Sequence, residues 1–286
     1  MTAGAGTGPA LAIRPMTAAD LDRAVDWAAA EGWNPGVDDA PAFRAADPDG
    51  FLMGFRGGVP IACISAVGYS ASFGFIGFYI CRPEERGRGY GLALWQAGLG
   101  RLAGRTVGLD GVIAQQDNYR RSGFVLAHRN IRYGGTVAVE APDDRRLVPI
   151  GPAGRAAVMA YDRAFFRAPR ETFLEAWLGG GRRRGLAAVE GGTIRGYGVV
   201  RPCRSGHKIG PLFAEDDGTA DLLFRGLAAG LDGLVYLDPP EPNRAARALA
   251  ARYGLAPVFE TARMYRGTAP DLPLDRMFGI TTFELG

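Results

Sequence analysis

Three glycines alternate with two arginines and a tyrosine in Arg86-Gly87-Arg88-Gly89-Tyr90-Gly91. The run lies between an apolar stretch at 75–81, closed by Pro83, and a helical pattern entering at Leu92. Strand, glycine turn and helix in that order leave the first N–H groups of the helix without intrahelical partners, at the positive end of its dipole. Glycines let the backbone approach a ligand there and the arginines add charge. The chemistry on offer is anion binding, with phosphate the leading ligand. The dinucleotide spacing G-x-G-x-x-G is absent because Gly87, Gly89 and Gly91 alternate, and no G-x-x-x-x-G-K-[ST] occurs. On the residues alone, a glycine-rich turn with two solvated arginines is the competing reading.

The pattern Arg-x-x-Gly-x-Gly, after a strand ending near a proline, resembles the acyl-CoA pyrophosphate loop of the GNAT N-acyltransferase superfamily. The resemblance implies that Arg86, Gly87, Arg88, Gly89, Tyr90, Gly91 and Leu92 hold the phosphates and that Tyr79, Ile80 and Cys81 lie along the pantetheine. In such proteins a tyrosine four residues before a Gly-Phe pair stands near the coenzyme thiol. Tyr119, before Gly123-Phe124, matches it. Acyl transfer from a thioester needs a neutral amine, a stabilised oxyanion and a protonated thiolate. Tyr119 is the candidate general acid for the last, and a backbone N–H at the end of strand 75–81 is the candidate for the oxyanion. A packed tyrosine with a bonded hydroxyl is the alternative. Cys81 is rejected as a nucleophile, since no histidine lies near it in sequence and a strand-buried cysteine is usually inert. No general base is readable: Glu84, Glu85, Asp117 and His128 lie near the motifs, each with a plainer structural reading.

These residues need a scaffold. Residues 18–30 carry Leu21, Ala24, Val25 and Ala28 at helical spacing behind Thr17, a good N-cap. A second short helix is expected at 41–46, with Trp33 and Phe43 either lining a substrate entrance or packing in the core. Strands are expected at 51–55, 61–67 and 75–81, the first two joined through Gly57-Gly58. A short strand at 106–110 should be followed by a helix over 112–122 with Asp110 as N-cap and Gly123 as left-handed C-cap, then a strand at 125–133. Residues 142–146 read as a linker.

The second half repeats the first. Gly254 lies 131 residues after Gly123, and Ile209-Gly210 lies 133 after Ile76-Gly77. A period this long marks a duplicated domain. Helices are expected at 155–166 and 170–178, and a last strand at 277–283. The copies differ at the loop. Opposite Arg86 to Gly91 the second half has Glu215-Asp216-Asp217-Gly218-Thr219-Ala220-Asp221, with four carboxylates that would repel a pyrophosphate. Its later helix opens on Asn243, where the first half has Val112, and its tyrosine position is Ala250.

The expected fold is mixed α+β: two GNAT-like domains, each a mostly antiparallel mixed sheet flanked by helices. Residues 1–11 read as a flexible tail, 12–140 as the catalytic domain and 147–286 as its degenerate copy. With 286 residues and a net charge of +3, two soluble domains are allowed and nucleic-acid binding gains no support. The three cysteines lack C-x-x-C spacing and there are only two histidines, so neither disulfides nor a metal site is indicated. No apolar run approaches a membrane span and no signal-peptide pattern opens the chain, which reads as cytoplasmic. Arg182-Arg183-Arg184 and Arg120-Arg121 read as solvated helix-end cations. The resemblance implies an N-acetyltransferase using acetyl-CoA, releasing CoA and acting on a small amine or on a peptide or protein amine, as monomer or homodimer. A non-catalytic acyl-CoA sensor and a structural pair binding another anion are the alternatives.

Overall fold

In the computed structural model residues 11–286 are described, so most of the expected tail lies outside the described residues. The first half runs β1 (Ala12–Pro15), α1 (Ala18–Ala30), α2 (Asp39–Ala46), β2 (Phe51–Arg56), β3 (Val59–Gly68), β4 (Phe73–Cys81), α3 (Tyr90–Arg101), β5 (Thr106–Val112), α4 (Gln116–Arg121) and β6 (Val125–Thr136). The second runs β7 (Leu147–Pro149), α5 (Arg155–Asp162), α6 (Glu171–Gly179), β8 (Arg184–Glu190), β9 (Thr193–Pro202), β10 (His207–Ala214), α7 (Asp217–Ala228), β11 (Leu234–Leu237), α8 (Arg244–Arg252), β12 (Ala256–Arg266) and β13 (Met277–Gly279).

Local sequence explains most of these bounds. Thr17 caps α1 in a reciprocal box with Asp20, and Gly123 takes φ 86° just past α4. The helix expected over 112–122 is shorter than its pattern. β5 continues to Val112 and a 3-10 turn intervenes before α4. Asp110 is therefore a strand residue, not a cap, because its carboxylate is claimed by Arg263 through two bonds of 2.8 and 2.5 Å. The expected last strand keeps only Met277–Gly279, after which the chain leaves the sheet.

The two expected sheets are joined as one. Strand order is β1-β2-β3-β4-β5-β12-β6-β11-β10-β9-β8-β7, with β13 paired to β10. All pairs are antiparallel except β4–β5 and β10–β11, the equivalent pair in each copy. The halves have exchanged their long last strands: β12 lies beside β5, with Thr261 opposite Val112 and Arg263 opposite Asp110, while β6 lies beside β11. Each exchanged strand brings an arginine to the host's aspartate. Arg263 grips Asp110, and Arg132 grips Asp238 at 2.8 and 2.7 Å, all four side chains nearly inaccessible. Helices α1, α2, α5 and α6 cover one face in a single core that both halves share, with Phe43 stacked on Trp177. α3 with α4, and α7 with α8, cover the other face over separate cores.

Candidate active site

β4 and β5 run in parallel register only from Phe73–Thr106 to Ile76–Leu109. Beyond that, β4 bulges. Its register with β3 slips between Ser65–Gly77 and Cys63–Ile80, and Phe78 takes a left-handed φ of 47°, a conformation rare for a bulky residue and costly to hold. The bulge turns Tyr79–Cys81 away from Asp110–Val112, and the sheet opens into a cavity of about 570 Å³, within the size range of small-ligand sites.

One end of the cavity is the glycine loop. Gly89 caps α3 at φ 82°, with no side chain bonding the helix N-terminus. A Cβ built on Gly87 or Gly89 meets nothing within 4 Å, so the left-handed turn and the open approach both exist. The free N–H groups and the dipole face that space. Tyr79, Ile80, Cys81, Arg86, Gly87, Gly89, Gly91, Leu92 and Tyr119 all line the cavity. Arg88 and Tyr90 are not in that lining: Arg88 pairs with Glu85 at 3.4 Å, and Tyr90 packs against the core beneath α3. The Arg86 guanidinium reaches the Cys81 carbonyl at 2.8 Å and Glu31 at 2.6 Å. It braces the loop through these two bonds.

Tyr119 forms part of the wall opposite β4. Its ring lies on Gly111, where an added Cβ would fall 2.1 Å from Cε2, and against Trp95 at a centroid distance of 5.4 Å. Trp95 in turn packs on Tyr79. Burial pushes the Tyr119 phenol up, so the group holds its proton at neutral pH. Its hydroxyl makes no hydrogen bond to the described residues.

The carboxylates near the motifs are engaged elsewhere. Glu85 is buried against Arg56 at 2.5 Å. Glu84 pairs with Arg82, and Asp117 is exposed beside Arg120 at 2.9 Å. His128 lies on β6 opposite Arg263, and burial first, then that guanidinium, lowers its pKa to about 3. None of these groups lines the cavity. Of the entrance candidates, Trp33 lines it and Phe43 is core. Of the arginines read as solvated, Arg183 is buried over Trp177 and pairs with Asp39 at 3.2 Å.

The remaining lining comes from the second half. Phe259 and Thr261 arrive on the exchanged β12, and Phe283 and Glu284 on the segment after β13. The repeat hides this, since it aligns β12 with β6 and predicts that each copy keeps its own last strand. Only the burial-prone Met277–Phe283 run hinted that the segment packs inside.

Residues 19–124 match the Acetyltransferase (GNAT) family and residues 158–279 an Acetyltransferase (GNAT) domain. Holothin acyltransferase from Pseudoalteromonas sp. (strain SANK 73390) is 32% identical over 265 residues, spanning 91% of this chain and 90% of that protein. A putative acetyltransferase from Pyrococcus horikoshii has a similar fold, with a TM-score of 0.79 at 24% identity over 96% of each chain. A tandem GNAT protein from the clavulanic acid biosynthesis pathway gives a TM-score of 0.60 at 18% identity, over 92% of this chain and 100% of that one. Fold and relatives together define an acyltransferase. The chain belongs to the GNAT superfamily, with two GNAT domains in tandem. That family generally draws its acyl group from acyl-CoA, and its activity implies an amine acceptor. No helix among the described residues is long and apolar enough to cross a membrane.

Proposed function

We propose that the protein transfers an acetyl group from acetyl-CoA to the primary amine of a small molecule, in the cleft between β4 and β5, with Tyr119 protonating the departing CoA sulfur. The observation that carries this reading is the cleft itself: an uncapped helix N-terminus at one end and a desolvated phenol in its wall. The backbone N–H groups of the loop would hold the diphosphate, and Tyr79, Ile80 and Cys81 would flank the pantetheine arm. The thioester supplies an activated carbonyl.

A small acceptor is favoured because about 570 Å³ must hold the reacting end of the donor as well. Trp33, Phe259 and Phe283 favour a flat apolar body on the amine, with Phe259 and Phe283 centroids 5.9 Å apart. The acceptor named for the 32% identical relative, holothin, is the first compound to try. The test is thiol release from acetyl-CoA over a panel of arylalkyl amines, alkyl amines, peptide amines and holothin, with mass detection of the product. The expected result is an acetylated arylalkyl amine or holothin. Thiol release with peptide amines alone would contradict the small-molecule assignment, and no release with any amine would contradict the activity.

A further inference from the structure

Glu284 is the one carboxylate of the cavity lining left without a hydrogen-bonding partner among the described residues. Asp110 is bonded by Arg263 on both oxygens and by Asn130 at 2.7 Å, and Glu31 is paired with Arg86. Glu284 is 4% exposed, lines the cavity, and its Oε1 has no partner. A buried polar atom left unpaired is costly and calls for an explanation. The Thr261 Oγ1 is a second unpaired, buried polar atom of the same lining.

Its placement is specific. The backbone of residue 284 presses on β4 just before the bulge: a Cβ on Gly77 would sit 2.1 Å from the Glu284 carbonyl oxygen. Gly77 is therefore the residue that admits this segment to the mouth of the parted strands. The segment is anchored on both sides of Glu284. Leu285 N–H bonds Thr282 Oγ1 at 3.0 Å, the Tyr69 hydroxyl bonds the Leu285 carbonyl at 3.0 Å, and Arg170 bonds the Gly286 carbonyl at 3.3 Å.

On the reading that this cleft is the acyl-transfer site, we infer that Glu284 is the general base, taking the proton from the acceptor amine as its nitrogen attacks the thioester carbonyl. The C–N bond forms and the C–S bond breaks. One proton passes from nitrogen to the Glu284 carboxylate and one from the Tyr119 hydroxyl to sulfur, and both groups recover through solvent. The products are the amide and the free thiol. A base from the second half would thus complete a site whose acid comes from the first.

The electrostatics suit the task. Burial raises the affinity of Glu284 for a proton, with Asp39 adding to it, while Lys208, Arg132 and Arg201 oppose it. The net direction is upward. A carboxylate whose proton affinity is raised is a stronger base in its ionised form. Asp110 also faces the cavity, held as an ion pair by Arg263.

The test measures the pH profile of kcat/KM for Glu284→Gln and Glu284→Asp with acetyl-CoA and the panel amine of highest turnover. Acetyl-CoA affinity by calorimetry and thermal unfolding serve as controls. In the wild type, kcat/KM should rise with pH along a limb that reports a carboxylate titrating above its ordinary range. Glu284→Gln should lower kcat by about 10²- to 10⁴-fold, erase that limb, and leave acetyl-CoA affinity within about twofold. Glu284→Asp should retain the limb at reduced turnover. Wild-type turnover with an unchanged limb in Glu284→Gln would overturn the assignment. So would equal losses in the Gln and Asp variants at unchanged Tm, since that pattern marks a packing role. If the cleft reading itself fails, Gly89→Val leaves acetyl-CoA affinity intact. If only Glu284 is misassigned, Gly89→Val abolishes binding while Glu284→Gln turns over normally.

Discussion

The two halves build the same parted strand pair and use it in opposite ways. In the first, β4 bulges away from β5 and the space stays open. In the second, β10 slips its register between Ile209 and Leu212 at the equivalent place, and β13 fills the gap. β13 pairs with Leu212 and Phe213, and Ile280 N–H reaches the Asp238 carbonyl beyond β11 at 3.0 Å. The helix termini differ in the same sense. Gly89 leaves the α3 N-terminus uncapped, whereas Asp216 caps α7 by accepting the Thr219 N–H at 2.8 Å. Where the first copy leaves its helix N–H groups without a side-chain cap, the second supplies an anion from its own chain. Glu215 pairs with Arg276, and Asp221 with Arg225, Arg252 and the Tyr253 hydroxyl. Both copies keep the frame, and in the second the opened space is packed by its own chain.

The largest expected effect tests the part of the frame both halves share. Arg263→Ala and Arg132→Ala each strand a buried aspartate. Each should cost about 3–5 kcal/mol in urea unfolding. Loss in one variant alone would mean that the strand exchange is held from one side only. Next comes the wall residue present in one copy. Tyr119→Phe should lower kcat about 100-fold, equivalent to about 2.7 kcal/mol, with acetyl-CoA affinity unchanged. Full turnover in Tyr119→Phe would remove the general-acid role. The smallest effect belongs to the packed copy. Asp216→Ala removes an N-cap and should cost about 1 kcal/mol, read as a fall in Tm, without changing turnover. Loss of activity there would show that the second loop serves the reaction.

Much of the frame was legible in sequence because its cues are local. Thr17 with Asp20, Gly123 after α4, and the glycine turn before α3 each act within a few residues. The loss of the loop in the second copy was legible as charge, from Glu215 to Asp221. The origin of half the cavity lining was not. Phe259, Thr261, Phe283 and Glu284 reach the first cleft through a strand exchange, and an exchanged strand has the same periodicity as one kept at home. Asp110 has the local pattern of a helix cap for the same reason, since its partner Arg263 lies 153 residues away. The arginine run at 182–184 was legible as charge but not as burial, because Trp177 and Asp39 draw Arg183 inward from distant elements.

The central claim is that each chain has one working cleft, in the first half. Isothermal titration of acetyl-CoA into the wild type, Gly89→Val and Asp216→Ala tests it most directly. Valine at position 89 must adopt a left-handed φ and places its side chain in the loop's open space. The account predicts one site per chain in the wild type, no measurable binding to Gly89→Val, and unchanged affinity and stoichiometry in Asp216→Ala. Two sites per chain, or wild-type affinity in Gly89→Val, would contradict it.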